Sequence, residues 1–238
     1  MKKLSAKEQA AWYDANYYKN VVQTLGPWHR FLLTDLIHEC APEKRLIELG
    51  CGQATVPRLL VEKGKLLAEN VYGIDQSGEA IKFAQQMLPT GHFRTHDIYE
   101  LDYPPDYFDL CLMLETIEHL ENPEVVLRKV YNQLKPGGYF YISFPNYLHI
   151  PWLAVRLLAE WLNHPNWIVL QPVDKIYSIF GVKKLAAEAG FVFDLAVGSN
   201  YGPPVFYPLE TDGLTTFLNR CHMWWWSFHP ILKFRKPN

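Results

Sequence analysis

Gly50, Gly52 and Asp75 are the residues of this sequence whose types and spacing best suit the binding of a ligand. The two glycines follow the apolar run Leu46–Leu49, and Asp75 ends the next short apolar segment, 25 positions after Gly50. Closely spaced glycines let bare backbone approach a ligand, and an acid at this distance can accept hydrogen bonds from ribose hydroxyls. The spacing therefore predicts a site for a nucleoside cofactor.

Short apolar runs alternate with amphipathic stretches of helical length from Arg45 onward. This alternation predicts an α/β fold, a doubly wound parallel sheet with helices on both faces. Strands are predicted near residues 45–50, 70–75, 92–96, 108–114, 138–144 and 191–197, and helices near 27–40, 54–63, 78–88, 122–134 and 181–189. Thr55 is predicted to cap the helix that follows the two glycines.

Three stretches lie outside this alternation. The first twenty residues are predicted to form a helix able to cover the cofactor, and residues 152–162 an amphipathic helix. Residues Met223–Trp226 are predicted to form a final strand pair or a short helix. The chain is predicted to be one domain over residues 1–238, divided into N-terminal helices (1–44), a cofactor-binding core (45–146), an inserted helical lid (147–170) and a C-terminal part of the sheet with an aromatic tail (171–238).

The composition narrows the class of protein. The chain has 238 residues, 23 Lys+Arg against 25 Asp+Glu and a formal net charge of −2, so no global positive field attracts nucleic acid or anionic lipid. Its four cysteines show neither Cys-x-x-Cys spacing nor a disulfide framework, which predicts reduced thiols and a cytoplasmic location. The N-terminus lacks the apolar core of a signal peptide, and no apolar run is long enough to span a membrane.

Three further segments point to one family. His96-Asp97-Ile98 ends the third predicted strand, the fourth runs through Leu114 into Glu115-Thr116-Ile117-Glu118-His119, and Pro136-Gly137-Gly138 precedes the fifth. Together with the glycine loop and Asp75, this ordered set resembles the class I S-adenosylmethionine (SAM) dependent methyltransferases over about residues 26–197, and among them the quinone-biosynthesis O-methyltransferases. The resemblance implies a mostly parallel, seven-stranded Rossmann-like sheet, an inserted helical lid after strand 5, and SAM as cofactor.

The resemblance also implies a role for each matching residue of the cofactor site. Gly50, Cys51 and Gly52 form the loop against the methionine part, Glu48 holds the loop and the amino end, Asp75 grips the ribose, Gln76 lines the adenine, Asp97 binds its amine, Ile98 packs on its ring, Leu114 offers a carbonyl to the ammonium, and Arg30 pairs with the methionine carboxylate. An ordinary helix-surface arginine is an equal alternative for Arg30. Ala54 stands where many members of the family have a third glycine.

The segment from Glu115 to His119 is the main candidate for catalysis. Methyl transfer depends on the placement of the acceptor, and a hydroxyl acceptor also needs a base or a metal ion. His119 is the predicted base with Glu118 beside it, and the resemblance implies that Glu115, Glu118 and His119 could instead ligate a divalent metal. A structural role for His119, as a cap of the next helix or in a hydrogen bond to the backbone, stays open. His149 is a second base candidate, against the alternative of a polar surface residue.

The expected activity is methyl transfer from SAM to a small, apolar or aromatic-bearing acceptor, at oxygen before nitrogen or carbon. The acceptor is expected to be lipid-like, quinone-like or a glycan, with no nucleic acid as partner. A weak association with a membrane surface and a homodimer stay open. The alternatives are a non-catalytic SAM-binding module, a metal-assisted RNA 2′-O-methyltransferase, and a nicotinamide oxidoreductase, for which Thr55 stands where the last glycine of its motif belongs.

Overall fold

The computed structural model describes residues 6–15, 25, 27–146, 149–162, 175–202 and 211–238. A seven-stranded sheet forms its centre. The strands are β1 (Leu46–Leu49), β2 (Val71–Asp75), β3 (His92–Thr95), β4 (Phe108–Leu114), β5 (Leu134–Ser143), β6 (Val192–Ser199) and β7 (His229–Arg235). Their order across the sheet is β3-β2-β1-β4-β5-β7-β6. Strand β7 runs antiparallel to β5 and β6, whereas the other pairings are parallel, so the predicted fold class is confirmed.

Helices cover both faces of this sheet. They are α1 (Ala6–Tyr13), α2 (Pro27–Glu39), α3 (Thr55–Glu62), α4 (Gly78–Met87), α5 (Pro123–Gln133), α6 (Ile150–Trp161), α7 (Ile179–Glu188) and α8 (Asp212–Arg220). Apolar residues of α2, α3 and α4 pack in one buried cluster, and those of α5 and α7 pack in a second cluster on the opposite face. Because both faces are covered, the central strands are apolar on both sides. Among the described helices, none is long and apolar enough to cross a membrane.

The parallel strands β1, β2, β3, β4 and β5 all end at one edge of the sheet, called the carboxyl edge below. Ligands of open α/β sheets bind outside this edge, where the loops after the strands meet. Antiparallel β7 begins at the same edge, so His229 lies beside the ends of β5 and β4. The sheet thus brings together residues that lie more than 150 positions apart in the sequence.

The sequence analysis was wrong about the cap of α3. The residue before the helix is Ala54, whose backbone is left-handed with φ 54° and ψ 39°, and no side chain caps this end. Thr55 is the first helical residue instead. A left-handed alanine is strained by comparison with glycine.

Seven strands were predicted, but the position of β7 was missed because its sequence does not look like that of a buried strand. Residues His229–Arg235 contain Pro230 and Lys233, and both are buried. The Lys233 ammonium lies 2.7 Å from Glu39 Oε1 and 2.9 Å from Asp35 Oδ2, both on α2. A buried lysine is tolerated only with such partners. This ion-pair group therefore fastens α2 to the middle of β7.

The helix predicted at residues 152–162 is α6. Trp152 stacks on Phe228 with ring centroids 4.4 Å apart, which anchors the helix just before β7. Its outward side is apolar, with Leu157 exposed and Trp161 79% exposed. Residues 147–148 and 163–170 of the predicted lid lie outside the described residues, so a lid function stays a prediction. The run Met223–Trp226 is a short 3-10 helix, one of the two predicted alternatives.

Candidate active site

The loop after β1 turns sharply through left-handed backbone. Gly50, Gly52 and Ala54 have φ of 69°, 50° and 54°, and the amides of Gly50 and Cys51 donate to the Ile74 carbonyl at 2.9 and 3.0 Å. These two hydrogen bonds fasten the loop to the end of β2. The Cys51 side chain is buried, and burial raises the pKa of its thiol well above the ordinary value. Cys51 therefore presents backbone, and not a reactive thiolate, to a ligand.

Asp75 joins this loop to the end of β2. Its Oδ2 accepts a hydrogen bond from the Gly52 amide and its Oδ1 accepts one from the Ser77 amide, both at 2.8 Å. Burial raises the pKa of Asp75 to about 6, against the opposing effect of the Ser77 and Gly52 hydrogen bonds. The structure thus places a fixed carboxyl beside the glycine loop, where the sequence predicts the acid that holds the ribose.

Glu48 is a second buried acid in the same region. Within the residues that the structure describes, its buried Oε2 atom has no hydrogen-bond partner. Burial and the neighbouring Asp75 raise the pKa of Glu48 well above its usual range. Two buried acids that lie side by side favour a positively charged ligand. SAM carries an ammonium and a sulfonium group, so the residues present fit the predicted cofactor.

The residues predicted for the adenine lie after β2 and β3 on the same edge. Gln76 and Ile98 are half-buried, and Ile98 packs against the apolar core. Asp97 begins a short 3-10 helix and accepts a hydrogen bond from the Tyr99 amide at 2.9 Å. All three residues lie near Asp75 along the carboxyl edge, and their contacts with adenine remain predictions.

Thr116 links the glycine loop to the end of β4. Its hydroxyl shares a hydrogen between the carbonyls of Leu114 at 2.9 Å and Leu49 at 3.3 Å. A Cβ atom built on Gly50 would lie 2.4 Å from Thr116 Oγ1. Gly50 is therefore required by its left-handed backbone and by the close approach of Thr116.

Replacing Gly50 with alanine is expected to destabilise the protein more than the matched change Gly64→Ala. Gly64 has nearly the same φ, 66°, but open space around it, so its alanine variant loses only the left-handed backbone preference, about 1 kcal/mol. Gly50→Ala adds the collision with Thr116, and we expect a total loss of at least about 2 kcal/mol. Urea unfolding of both variants measures this difference. An equal loss of unfolding free energy in Gly50→Ala and Gly64→Ala would contradict the role of Thr116.

The first helix reaches both sides of the site. Asp14, directly after α1, accepts hydrogen bonds from the Ser77 hydroxyl and, at 3.3 Å, from the Glu79 amide. The ring of Tyr13 lies edge-on to that of His119 with centroids 6.1 Å apart. The sequence predicts a covering helix with Tyr13 in this region, but Asp14 was not singled out. The first helix and the residue after it therefore extend from Ser77, which is bonded to Asp75, to His119, the predicted base.

Arg30 lies on α2, where its guanidinium pairs with Asp212 at 2.8 Å. Both side chains are exposed, so this ion pair contributes little to stability. The pairing fits the alternative of a surface arginine. Binding of the methionine carboxylate by Arg30 stays a prediction.

Glu118 and His119 form a close pair after β4. Glu118 is buried, and its Oε1 lies 3.7 Å from His119 Nε2. The side chain of His119 is 14% exposed, so the imidazole can be reached from the site. His119 does not cap α5, since that helix begins at Pro123 after Asn122. A reachable imidazole beside a buried carboxyl is the arrangement of a general base.

The predicted metal ligands do not converge on one point. Glu115 Oε1 accepts a hydrogen bond from Ser143 Oγ at 2.8 Å and its Oε2 faces His229, whereas Glu118 faces His119. Across the described part of the chain, no group of three or more His, Cys, Asp or Glu could hold a metal ion. The metal alternative from the sequence is therefore not supported by these residues.

His149 is not the polar surface residue of the sequence alternative. It is fully buried at the start of α6, and its Nε2 lies 3.0 Å from the Tyr201 carbonyl. Its ring packs against Trp226 with centroids 5.4 Å apart. These contacts give His149 a role in packing α6 against the C-terminal aromatic residues. They do not support its prediction as a base.

His229 is the site residue that sequence analysis missed. Its Nδ1 lies 3.0 Å from Asn200 Oδ1, and its Nε2 lies 3.8 Å from Glu115 Oε2. Burial, with His29 and His149 nearby, lowers its pKa to about 3, so the ring is neutral near pH 7. No local motif marks this histidine. Only the antiparallel placement of β7 brings it to the carboxyl edge.

Comparison with known proteins decides the family. A sequence family described as "Methyltransferase domain" matches residues 26–195. The chain belongs to this methyltransferase family. The ubiquinone biosynthesis O-methyltransferase of Nitrosomonas europaea is 24% identical over 213 residues, covering 87% of this chain and 88% of the relative. The ubiquinone biosynthesis O-methyltransferase of Dechloromonas aromatica is 31% identical over 158 residues, covering 63% of this chain and 65% of the relative. The methyltransferase is an enzyme that uses SAM as its cofactor.

Solved structures show the same fold. The geranyl diphosphate C-methyltransferase of Streptomyces coelicolor has a TM-score of 0.68 and 12% identity, with 99% of this methyltransferase and 100% of that chain covered. A methyltransferase solved in complex with the Haloferax volcanii Trm112 activator has a TM-score of 0.64 and 18% identity, with 97% of this chain and 98% of that chain covered. At these identities the likeness establishes the fold alone.

The affinity of the methyltransferase for SAM is expected to fall as the pH is lowered through about 6. In its predicted role the Asp75 carboxylate would accept hydrogen bonds from the ribose, and with a pKa of about 6 its protonation would remove this acceptor below that pH. We expect the dissociation constant of S-adenosylhomocysteine (SAH) to be about 10-fold higher at pH 5 than at pH 8. Calorimetric titration across this range measures it. An SAH affinity that is the same at pH 5 and pH 8 would contradict the predicted role of Asp75.

Proposed function

We propose that the methyltransferase transfers the methyl group of SAM to an oxygen atom of a small, apolar or aromatic-bearing acceptor. The observation that carries this proposal is the pair formed by partly exposed His119 and buried Glu118 after β4. A base is needed for a hydroxyl acceptor, whose proton must leave as the new bond forms. The curated relatives named O-methyltransferases support the same choice of atom.

His119 is suited to take this proton, and Glu118 to stabilise the resulting imidazolium. When bound, SAM supplies an electrophilic methyl group, and its transfer leaves the electron pair of the broken carbon–sulfur bond on sulfur. The acceptor oxygen gains the methyl group and gives its proton to His119. The carboxyl edge holds both reactants in place, which supplies a large part of the rate enhancement in a displacement of this kind.

The surroundings of the carboxyl edge support an acceptor with apolar or aromatic surface. Trp28 on α2 is half-buried and lies nearly parallel to His229, with ring centroids 6.1 Å apart. Aromatic walls bind planar and apolar groups well. The relatives' part in ubiquinone biosynthesis fits such an acceptor.

A screen with radiolabelled methyl SAM tests the proposal. The panel contains phenols, prenylated hydroquinones, fatty alcohols and glycosides, together with amines as probes of nitrogen transfer. We expect turnover with at least one hydroxylated compound and none with its fully methylated ether. Turnover with amines alone, or with no compound of the panel, would overturn the proposal of O-methylation.

A further inference from the structure

Helix α1 ends between two loops of the carboxyl edge. It has eight residues, and a helix of this length is not stable in water by itself, so its position depends on contacts with the rest of the chain. Asp14, directly after the helix, contacts Ser77 after β2. Tyr13, its last residue, contacts His119 after β4. The end of α1 therefore touches the cofactor side and the catalytic side of the site at once.

Asp14 fastens the end of this helix. Its Oδ1 accepts hydrogen bonds from the Ser77 hydroxyl and, at 3.3 Å, from the Glu79 amide. Both donors lie at the N-terminus of α4, where the helix dipole favours a negatively charged side chain. Ser77 is fully buried and its amide donates to Asp75, so it offers Asp14 a fixed partner. The chain directly after Tyr13 is thus held beside the predicted ribose acid.

Tyr13 carries the contact of α1 with His119. Tyr13 is buried, and its ring lies 6.1 Å from that of His119 with an angle of 64° between the planes. This is the edge-on arrangement that aromatic pairs prefer. The torsion that turns an imidazole about its Cβ–Cγ bond has broad minima, so a neighbouring ring limits the directions in which the two nitrogens point. The contact with Tyr13 therefore restricts the orientation of His119.

The orientation of His119 matters because a general base must point its free nitrogen at the proton that it removes. Glu118 Oε1 lies 3.7 Å from His119 Nε2 and stabilises the charge that His119 gains. The contact with Tyr13 brings no carboxylate to the imidazole and acts on its orientation. Glu118 and Tyr13 thus support the same base in different ways.

We propose that Tyr13 is a positioning residue for His119, and that Asp14 holds Tyr13 in place for this role. The inference rests on the proposed function, in which His119 takes the proton of the methylated hydroxyl. Tyr13 takes no proton itself. Its aromatic ring, and not its hydroxyl, keeps the imidazole turned toward the acceptor.

Four variants separate the ring, its fastening and the general loss of a tyrosine. Tyr13→Phe keeps the ring, whereas Tyr13→Leu removes it. Asp14→Ala leaves the ring in the chain but removes the acceptor that fastens it to Ser77. Tyr107→Leu is the control, because Tyr107 is half-buried like many tyrosines but lies directly before β4, at the opposite edge of the sheet.

The rate constant kcat is measured with the best compound of the screen at saturating SAM. Tyr13→Leu and Asp14→Ala are each expected to lower kcat about 5-fold to 10-fold, the contribution of one aromatic pair, with KM for the acceptor changed by less than about threefold. The double variant should lose no more than either single one, since both remove the same contact. Tyr13→Phe and Tyr107→Leu should keep kcat within about twofold of the wild type.

Two kinetic results would overturn the inference and leave the proposed function standing. One is a wild-type kcat in Tyr13→Leu while His119→Asn loses activity. The other is a loss in Tyr13→Phe as large as that in Tyr13→Leu, which would assign the effect to the hydroxyl.

The NMR signals of the His119 ring test the inference without turnover. An aromatic ring shifts the signals of protons near it, and the His119 signals are identified by their absence from His119→Asn. In protein loaded with SAH, Tyr13→Leu and Asp14→Ala should move these signals toward the values of free histidine, whereas Tyr13→Phe and Tyr107→Leu should leave them in place. Unmoved signals in Tyr13→Leu would overturn the inference. Moved signals in a protein that methylates no hydroxylated compound would contradict the proposed function alone.

Discussion

The variant Asp75→Ala is expected to bind SAM at least about 100-fold more weakly than the wild type. A carboxylate that accepts hydrogen bonds from two ribose hydroxyls contributes about 1.5 to 3 kcal/mol for each bond, and each 1.4 kcal/mol is a factor of ten in affinity. Asp75 also accepts a hydrogen bond from the Gly52 amide, so its removal should loosen the loop that is predicted to hold the methionine part. Calorimetric titration with SAM measures the loss.

The control for this prediction is Asp102→Ala. Asp102 is exposed, pairs with Arg94 at 2.9 Å and lies away from the glycine loop, so its variant should bind SAM as the wild type does. The Asp75→Ala protein should remain folded by circular dichroism, because removal of a buried acid with a raised pKa offsets the two lost backbone hydrogen bonds. Normal SAM affinity in a folded Asp75→Ala protein would contradict the assigned cofactor site.

Replacement of His119 by asparagine is expected to lower kcat about 100-fold to 1000-fold, with SAH affinity nearly unchanged. General-base catalysis by a positioned imidazole contributes about that factor, and asparagine removes the base while keeping a polar side chain. Single-turnover measurement with radiolabelled SAM and the best acceptor separates this chemical step from product release.

Glu118→Gln distinguishes a base from a structural histidine. The amide keeps the shape of the buried side chain but no longer stabilises a protonated His119, so we expect a smaller loss in kcat, about 10-fold. The pH at which kcat rises should also shift downward, since the pKa of a histidine falls when a carboxylate partner is removed. A kcat within twofold of the wild type in both His119→Asn and Glu118→Gln would contradict the role of this pair.

The placement of the glycine loop next to Asp75 could be predicted because these residues lie close together in the sequence. Gly50, Gly52 and Asp75 belong to one strand, helix and strand unit, and the spacing of that unit places all three at one edge of a parallel sheet. The apolar runs of β1, β2 and β4 are continuous because both faces of these strands are buried. The spacing of these residues and the apolar strands around them therefore suffice to predict where they lie in the fold.

The acceptor half could not be predicted because its residues meet only through long-range packing. His229 reaches Glu115 because β7 is antiparallel, and β7 was hidden by the buried Lys233 that pairs with α2. The left-handed backbone of Ala54 was missed as well, because an alanine in a sequence gives no sign that its φ is positive. The metal set failed for a related reason: Glu115 and Glu118 are close in sequence but face different partners.

The central claim is that the loop from Gly50 to Gly52 and Asp75 bind SAM, and one calorimetric titration tests it most directly. Wild-type protein at pH 8 is titrated with SAH and, in parallel, with NAD. The account predicts one SAH site per chain with a micromolar dissociation constant, about 100-fold weaker binding to Asp75→Ala, and no heat with NAD. Absence of SAH binding at millimolar concentration, or tighter binding of NAD than of SAH, would contradict it.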